Sequence, residues 1–440
     1  MTFAERVDSF FEISARKSTP AVEIRAGVVT FLSMCYAIVV IPTMLSDAGM
    51  TASHVFTAAI LVSAAATAIM ALYARYPIAL APSMSINAFF TYTVVVGMGY
   101  TWQQALAGVF ISGSVFLLLS VGSLRQRIVH AIPSDLRLAI SAGIGCFLLI
   151  IGLHGANVIV GNASTLVTLG DLTDPAVLLA LAGIFLTVVL YLRKVTGSIF
   201  VGILITAAVG MVFGIIALPT AVFSLPAAPD AGAFITGLTT VTWDLQYVIV
   251  IISMLLVSFF DSTGTIMSVG QRAGLMNEDG NLKGGNRAFV SDAAGTMLGA
   301  TLGVSPVGSY AESTTGIESG GRTGLMSLTV SLLFLAALFC WPLLSVFSYP
   351  CTVSALVIVA IVMMSGLKDL HWNDSVAVMT AVTTITFMML TYSIADGLGF
   401  GILFYTVGMA AVGRRKEVSP ILYGLAAVYL FYFAVTALIF

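Results

Sequence analysis

Apolar residues in this 440-residue chain do not recur at a surface-helix or strand period; they fill long runs separated by short polar or glycine-rich connections. Runs of about 17–25 apolar residues match a bilayer core crossed as a helix. The pattern predicts spans at about residues 26–46, 54–73, 82–98, 103–122, 136–154, 176–192 and 198–218. It predicts seven more at about 245–270, 288–303, 304–320, 323–345, 351–366, 376–394 and 397–413. A last apolar segment, about 419–438, forms a fifteenth helix or a re-entrant or surface-lying one. Residues 1–25 read as a polar arm with a short amphipathic helix at Ser9 to Ile13, and the first apolar run follows it without a signal-peptide pattern. The longer polar connection, 219–244, carries Pro219, Pro226, Pro229 and Asp230.

The expected fold class is therefore an all-α polytopic membrane protein with 14 transmembrane segments. Composition agrees: 59% of residues are hydrophobic and 9% charged, with mean hydropathy +1.06, against about 25% charged in soluble domains. A membrane β-barrel would show short alternating strands instead. The net charge of −2 gives no reason to expect a nucleic-acid partner. Cys35, Cys146, Cys340 and Cys351 lie in or beside apolar runs with no metal spacing, so no metal or other cofactor is expected.

Charge also orients the chain. With the N-terminus cytoplasmic, all eighteen Lys and Arg residues fall in connections expected inside: 1–25, 74–81, 123–137, 193–197, 271–287, 321–322, 367–375 and 414–418. Such a split is what the positive-inside bias produces.

Two halves of seven spans would be related by inverted topology. Span 3 opens Ala81-Pro82-Ser83-Met84-Ser85-Ile86-Asn87-Ala88-Phe89-Phe90, and span 10 opens Ser305-Pro306-Val307-Gly308-Ser309-Tyr310-Ala311-Glu312. Both begin with proline and small residues, which are poor helix formers. Segments 81–86 and 305–311 are expected to be extended, to pair as a small sheet, and to feed half-helices starting near Asn87 and Glu312. Extended backbone at membrane depth is tolerated where it is buried in protein or lines a cavity.

Two acids, Asp261 in span 8 and Glu312 in span 10, stand out in the apolar stretch from Ser258 to Leu325. A carboxylate at a span centre costs roughly 2.5–3.5 kcal/mol, so such a residue reads first as part of a substrate or ion path. A carboxyl removed from water favours its protonated form, which suits a proton carrier. Asn87 is either a half-helix cap or a ligand contact, and Asp292 reads as a cap or a structural bond. Ser262, Thr263 and Ser313 flank the acids as supporting hydroxyls. Phe89 and Tyr310 could stack on a flat ligand or simply pack. Without a basic residue in the interior, the site suits a neutral planar ligand rich in N–H groups, or a cation. The glycine-rich stretches lack the lysine of a phosphate loop, and no nucleophile–base pair points to an enzyme.

These residues resemble the nucleobase–ascorbate transporter superfamily, in particular its adenine/guanine/hypoxanthine permease branch. The resemblance is carried by Leu45-Ser46-Asp47-Ala48-Gly49-Met50, Ala79-Leu80-Ala81-Pro82 with Asn87-Ala88-Phe89-Phe90, Phe260-Asp261-Ser262-Thr263-Gly264-Thr265, Tyr310-Ala311-Glu312-Ser313 and Gly320-Gly321-Arg322-Thr323-Gly324-Leu325. It implies a seven-plus-seven inverted repeat. A core domain would hold spans 1–4 (26–135) and 8–11 (220–345), and a gate domain spans 5–7 (136–219) and 12–14 (346–413), leaving the arm 1–25 and the segment 414–440. It further implies proton-coupled purine uptake in a bacterial inner membrane. The purine would contact Asp261, Glu312 and Asn87, with a backbone contact near Ala311 and an aromatic at Tyr310. The resemblance also implies a homodimer formed through the gate. The chain departs from some members at Ser258, where they carry a second acid. An anion carrier of the same fold and a sodium-coupled carrier remain as alternatives.

Overall fold

The computed structural model describes residues 3–121, 132–219, 221–277 and 282–439, so Arg125, Arg127 and His130 lie outside the described residues. The chain is mostly helical. Among the described residues, eight helices are long and apolar enough to cross a membrane: Pro20–Ser46, Ala52–Ala74, Trp102–Ser120, Ser134–Gly155, Pro175–Leu192, Leu245–Arg272, Tyr349–Asp369 and Ile394–Ala411. Shorter apolar helices cover Met84–Gly97, Ser198–Val212, Gly324–Ala337, Ser375–Leu390 and Pro420–Val435.

Local chemistry sets several of these bounds. The first long helix begins at Pro20, six residues before the expected span, because Thr19 accepts from Val22 N and proline suits the first helical position. The expected Ser9–Ile13 helix is instead Phe3–Phe11, and it ends at Glu12, whose φ is +58°. The span expected to reach residue 345 stops at Ala337 and resumes only as Trp341–Leu344, and the one expected to reach 218 stops at Val212. The 219–244 connection carries a helix at Ala233–Thr240 that the prolines around it concealed.

Two small sheets interrupt the helices. Strand β1, Leu80–Pro82, is followed along the chain by a hairpin of β2, Ile159–Asn162, and β3, Leu166–Leu169; the fourth strand, β4, is Val307–Ser309. The β2–β3 hairpin was not anticipated, although two β-branched runs flanking Asn162-Ala163-Ser164 carry its signal. The expected pairing of the broken segments is present: β1 and β4 run antiparallel with Leu80 opposite Ser309, Ala81 opposite Gly308 and Pro82 opposite Val307. Both strands are fully buried. Their half-helices begin at Met84, three residues before the expected start, and at Ser313, with Glu312 as the N-cap.

A three-residue strand leaves backbone groups unpaired, and in a membrane interior these must find partners. The two strands solve this in the same way. Thr67 Oγ1 donates to Leu80 O and accepts from Leu80 N, both at 2.9 Å, while Thr296 Oγ1 donates to Val307 O at 2.9 Å. Each threonine lies on the helix preceding its strand. Beyond the sheet, Ser83 N donates to Pro306 O (2.9 Å) and Tyr310 N to Ala79 O (3.0 Å).

The connections gather at two ends. Arg16, Arg75, Lys283 and Arg322 share one cavity, and Asp135 contacts His371 as Asp374 contacts Arg414. At another set of connections His54 meets Asp230 (3.0 Å) and Tyr100 donates to Asp244 (3.2 Å). The Arg414 guanidinium, donating to Asp374 and Glu417, holds both carboxyls below the usual carboxylate range.

Candidate substrate site

Asp261 and Glu312 line one cavity of about 580 Å³ beside the β1–β4 crossing. The long helix Leu245–Arg272 carries Asp261 to the start of the first half-helix, where Ser83 Oγ (2.7 Å) and Ser85 Oγ (3.1 Å) both donate to its Oδ2. Glu312 caps the second half-helix, and Tyr36 OH donates to its Oε1 at 2.6 Å. Each acid is thus tied across the molecule. Asp261, on the helix Leu245–Arg272, bonds the segment that follows β1. Glu312, just after β4, bonds Tyr36 of the helical segment Pro20–Ser46.

The opposing wall is apolar: Ile358, Val359, Val362 and Met363 come from the helix starting at Tyr349, and Ile199 from Ser198–Val212. Arg272 stands at the rim, paired with Glu318 at 3.0 Å. A second cavity of the same volume touches Asp261 from its other side and reaches Arg137, Asp369 and His371. Both cavities therefore run from Asp261 towards connections rich in basic residues. The site offers acceptors on two carboxylates, several hydroxyls, a polar floor and a flat greasy wall. That combination can accept hydrogen bonds from N–H groups at the edge of a small planar molecule.

The remaining candidates are distributed as follows. Tyr310 and Ala311 line the cavity with the acids; the Tyr310 ring lies against the strand crossing because its OH donates to Pro82 O at 2.7 Å. Asn87 and Phe89 are fully buried and absent from the cavity lining; Asn87 Oδ1 accepts a short bond from Ser305 Oγ, so Asn87 links the half-helix to the loop ahead of β4. Asp292 is fully buried and accepts from Ser309 Oγ at 2.8 Å, a structural bond to β4. Ser313 Oγ accepts from Ala79 N (3.0 Å), and Thr263 donates to Phe259 O while lining the second cavity; Ser262 is buried outside both linings. Residues missed from the sequence are Tyr36, Ser83 and Ser85. The two serines lay in plain view as Ser83-Met84-Ser85, while a lone tyrosine inside an apolar run gives no signal.

Away from both cavities, a carboxylate–tyrosine cluster joins separate helices. Tyr92 OH donates to Asp47 Oδ2 at 2.7 Å, Tyr349 OH makes a short bond to the same oxygen, and the two hydroxyls lie 2.8 Å apart. Tyr392 packs edge-on against Tyr92 and Phe147. Asp47 caps the helix that ends at Ser46, Tyr92 lies in the half-helix Met84–Gly97, and Tyr349 opens the helix that forms the apolar wall of the site.

Residues 22–400 match the model of a permease family, Xan_ur_permease. The guanine/hypoxanthine permease PbuG of Bacillus subtilis is 42% identical over 97% of this chain and 99% of its own length. The adenine permease AdeP of Escherichia coli is 35% identical over 94% of this chain and 93% of its own. Among solved structures, the transmembrane domain of the cyanobacterial bicarbonate transporter BicA has a TM-score of 0.62 at 14% identity, covering 86% of this chain and 97% of that one. The murine anion transporter Slc26a9, in its inward-facing state, has a TM-score of 0.64 at 11% identity, covering 93% and 72%. These two likenesses are of fold.

Proposed function

This chain belongs to that permease family, as a multi-pass membrane transporter and not an enzyme, and from this premise we propose that it imports purine nucleobases (hypoxanthine, guanine and adenine) by proton symport. The observation that carries the reading is the shared cavity of Asp261 and Glu312, with carboxylate acceptors on one wall and aliphatic side chains on the other. Purine edges alternate N–H donors with ring-nitrogen acceptors, and their faces are apolar. The near full-length relatives named for guanine, hypoxanthine and adenine support the substrate class. In this reading Tyr310 and Ala311 line the base, Asn87 and Asp292 hold the strand crossing rigid, and Ser262, Thr263, Ser313 and Phe89 support it. Either acid, released from its hydroxyl partner, is the proton carrier.

The architecture proposed with it is fourteen spans as a seven-plus-seven inverted repeat, with the N-terminus in the cytoplasm of a bacterial inner membrane. The core comprises 26–135 and 220–345, and the gate 136–219 and 346–413. The matching roles of Thr67 and Thr296 support the repeat, since both serve the strand that follows them. Alternating access is then movement of core against gate across the cavity wall at Ile358 and Val362. An anion carrier of this fold would not present two carboxylates without an interior cation to offset them. Uptake of radiolabelled hypoxanthine, guanine, adenine, uracil and sulfate by cells lacking their own permeases tests the reading. Purine uptake abolished by a protonophore is expected; no purine uptake, or uptake that ignores the protonophore and needs sodium, refutes it.

A further inference from the structure

Six of the eighteen basic residues converge on a place remote from the substrate cavity. A cavity of about 540 Å³ is lined by Arg16, Lys17, Arg75, Lys283, Arg287 and Arg322, drawn from the arm and three connections. Glu12 is its one acidic lining residue among those described. It serves Arg16 at 3.1 Å and Arg75 at 3.7 Å. Arg16 and Arg322 also donate to backbone carbonyls, Arg16 to those of Arg75 and Arg322, and Arg322 to those of Ile317 and Gly321. Lys17, Lys283 and Arg287 have no carboxylate partner among the described residues. The positive-inside bias explains why cations lie on one side of a membrane; it does not explain why separate segments deliver them into one hollow, where they repel each other.

The rim of the hollow is apolar and half-exposed. Phe10, 40% exposed, lies under the Arg75 guanidinium at 4.5 Å, and Tyr73, 50% exposed, lies 5.7 Å from that of Arg287. Leu72 beside it is 47% exposed. Cations ringed by exposed aromatic and aliphatic side chains are arranged as at a membrane–water boundary.

We propose that this basic cavity binds a phosphate-bearing anion. Guanidinium groups match phosphate oxygens in a paired fork, and an ammonium adds a point charge. Bound phosphate would offset the repulsion among the six cations and fasten the arm to the connections 273–287 and 322, which join helices carrying Asp261, Asp292 and Glu312. The phosphate can come from a lipid headgroup at the rim or from a soluble polyphosphate. The site is independent of the substrate reading.

The test uses the purified full-length protein and a Lys17→Gln/Lys283→Gln/Arg287→Gln variant, none of whose positions touches the substrate cavity. A control variant, Arg193→Gln/Lys194→Gln/Lys416→Gln, removes the same charge elsewhere. One arm measures inorganic triphosphate binding by calorimetry; the other measures retention of cardiolipin against phosphatidylcholine in nanodiscs by native mass spectrometry. Thermal melting of each unliganded variant reports on folding. The expected result is that wild type binds in at least one arm, that the cavity variant is weakened ~10-fold or more there, as loss of three charge-assisted contacts requires, and that the control keeps near wild-type affinity. The arm that responds names the source. Binding in neither arm, or equal weakening of cavity and control variants, overturns the site. If the cavity variant melts well below wild type, the single variants Lys283→Gln and Arg287→Gln are read by the same criteria.

Discussion

Tyr36→Phe removes one oxygen and leaves the packed ring in place. That oxygen donates to Glu312 Oε1 at 2.6 Å, and Tyr36 itself is almost wholly buried. A hydrogen bond to a charged group contributes about 1.5–3 kcal/mol, equal to ~10–150-fold in an equilibrium constant. Glu312 lines a cavity of about 580 Å³, roomy enough for water to replace the lost donor in part. The lower end, ~10-fold, is therefore the expected loss of purine affinity once the carboxylate can swing away from the base. The assay is equilibrium binding of tritiated hypoxanthine to purified protein, beside uptake at saturating and limiting substrate. The thermal midpoint should stay within a few degrees, because the phenylalanine ring fills the same space. Affinity within twofold of wild type at unchanged stability would refute the role given to the Tyr36–Glu312 bond.

Gly308→Ala places a methyl 3.1 Å from Ser83 Cβ and 3.7 Å from Asp261 Oδ2, so Ser83 must give way; overpacking of this kind costs about 1–3 kcal/mol, and purine binding should weaken ~10-fold with only a modest fall in melting temperature. Unaltered binding would mean that Ser83 does not fix Asp261. Thr67→Val and Thr296→Val should each lower stability by about 1–3 kcal/mol, the penalty for a buried carbonyl left without its donor, and a denaturant series giving one large and one negligible loss would argue against their equivalence. Tyr349→Phe removes one hydroxyl from the Asp47 cluster; at about 0.5–1.5 kcal/mol per bond the variant should be less stable by that amount. A denaturant series registers that loss, and stability unchanged from wild type would mean that the Tyr349 hydroxyl does not hold the Asp47 cluster together.

Much of this architecture was legible because a membrane imposes coarse rules. Long apolar runs located the helices, and proline with small residues at 81–86 and 305–311 located the two strands, since neither segment could continue a helix. Boundaries moved where a local cap or break decided them: Thr19 before Pro20 began a helix early, and the stretch after Ala337 ended one early. The acids were visible as costly residues in apolar surroundings. Their partners were not, because Tyr36 and Ser83 are ordinary residues whose importance lies in sequence separations of 276 and 178. Asn87 illustrates the converse limit: its place at a half-helix fitted a ligand contact, yet its carbonyl oxygen is taken by Ser305. The basic cavity was equally hidden, since each connection holds only a few cations and only the fold sums them.

The central claim is that Asp261 and Glu312 bind the base and carry the proton that drives it. Purified protein in proteoliposomes with a trapped pH-sensitive dye measures this directly, as the pH change inside on adding hypoxanthine outside. Wild type should acidify the lumen in step with purine entry, while Asp261→Asn and Glu312→Gln, at near-normal folding and insertion, should each abolish coupled flux. Purine entry without acidification in the wild type, or unimpaired coupled flux in both variants, would contradict the account.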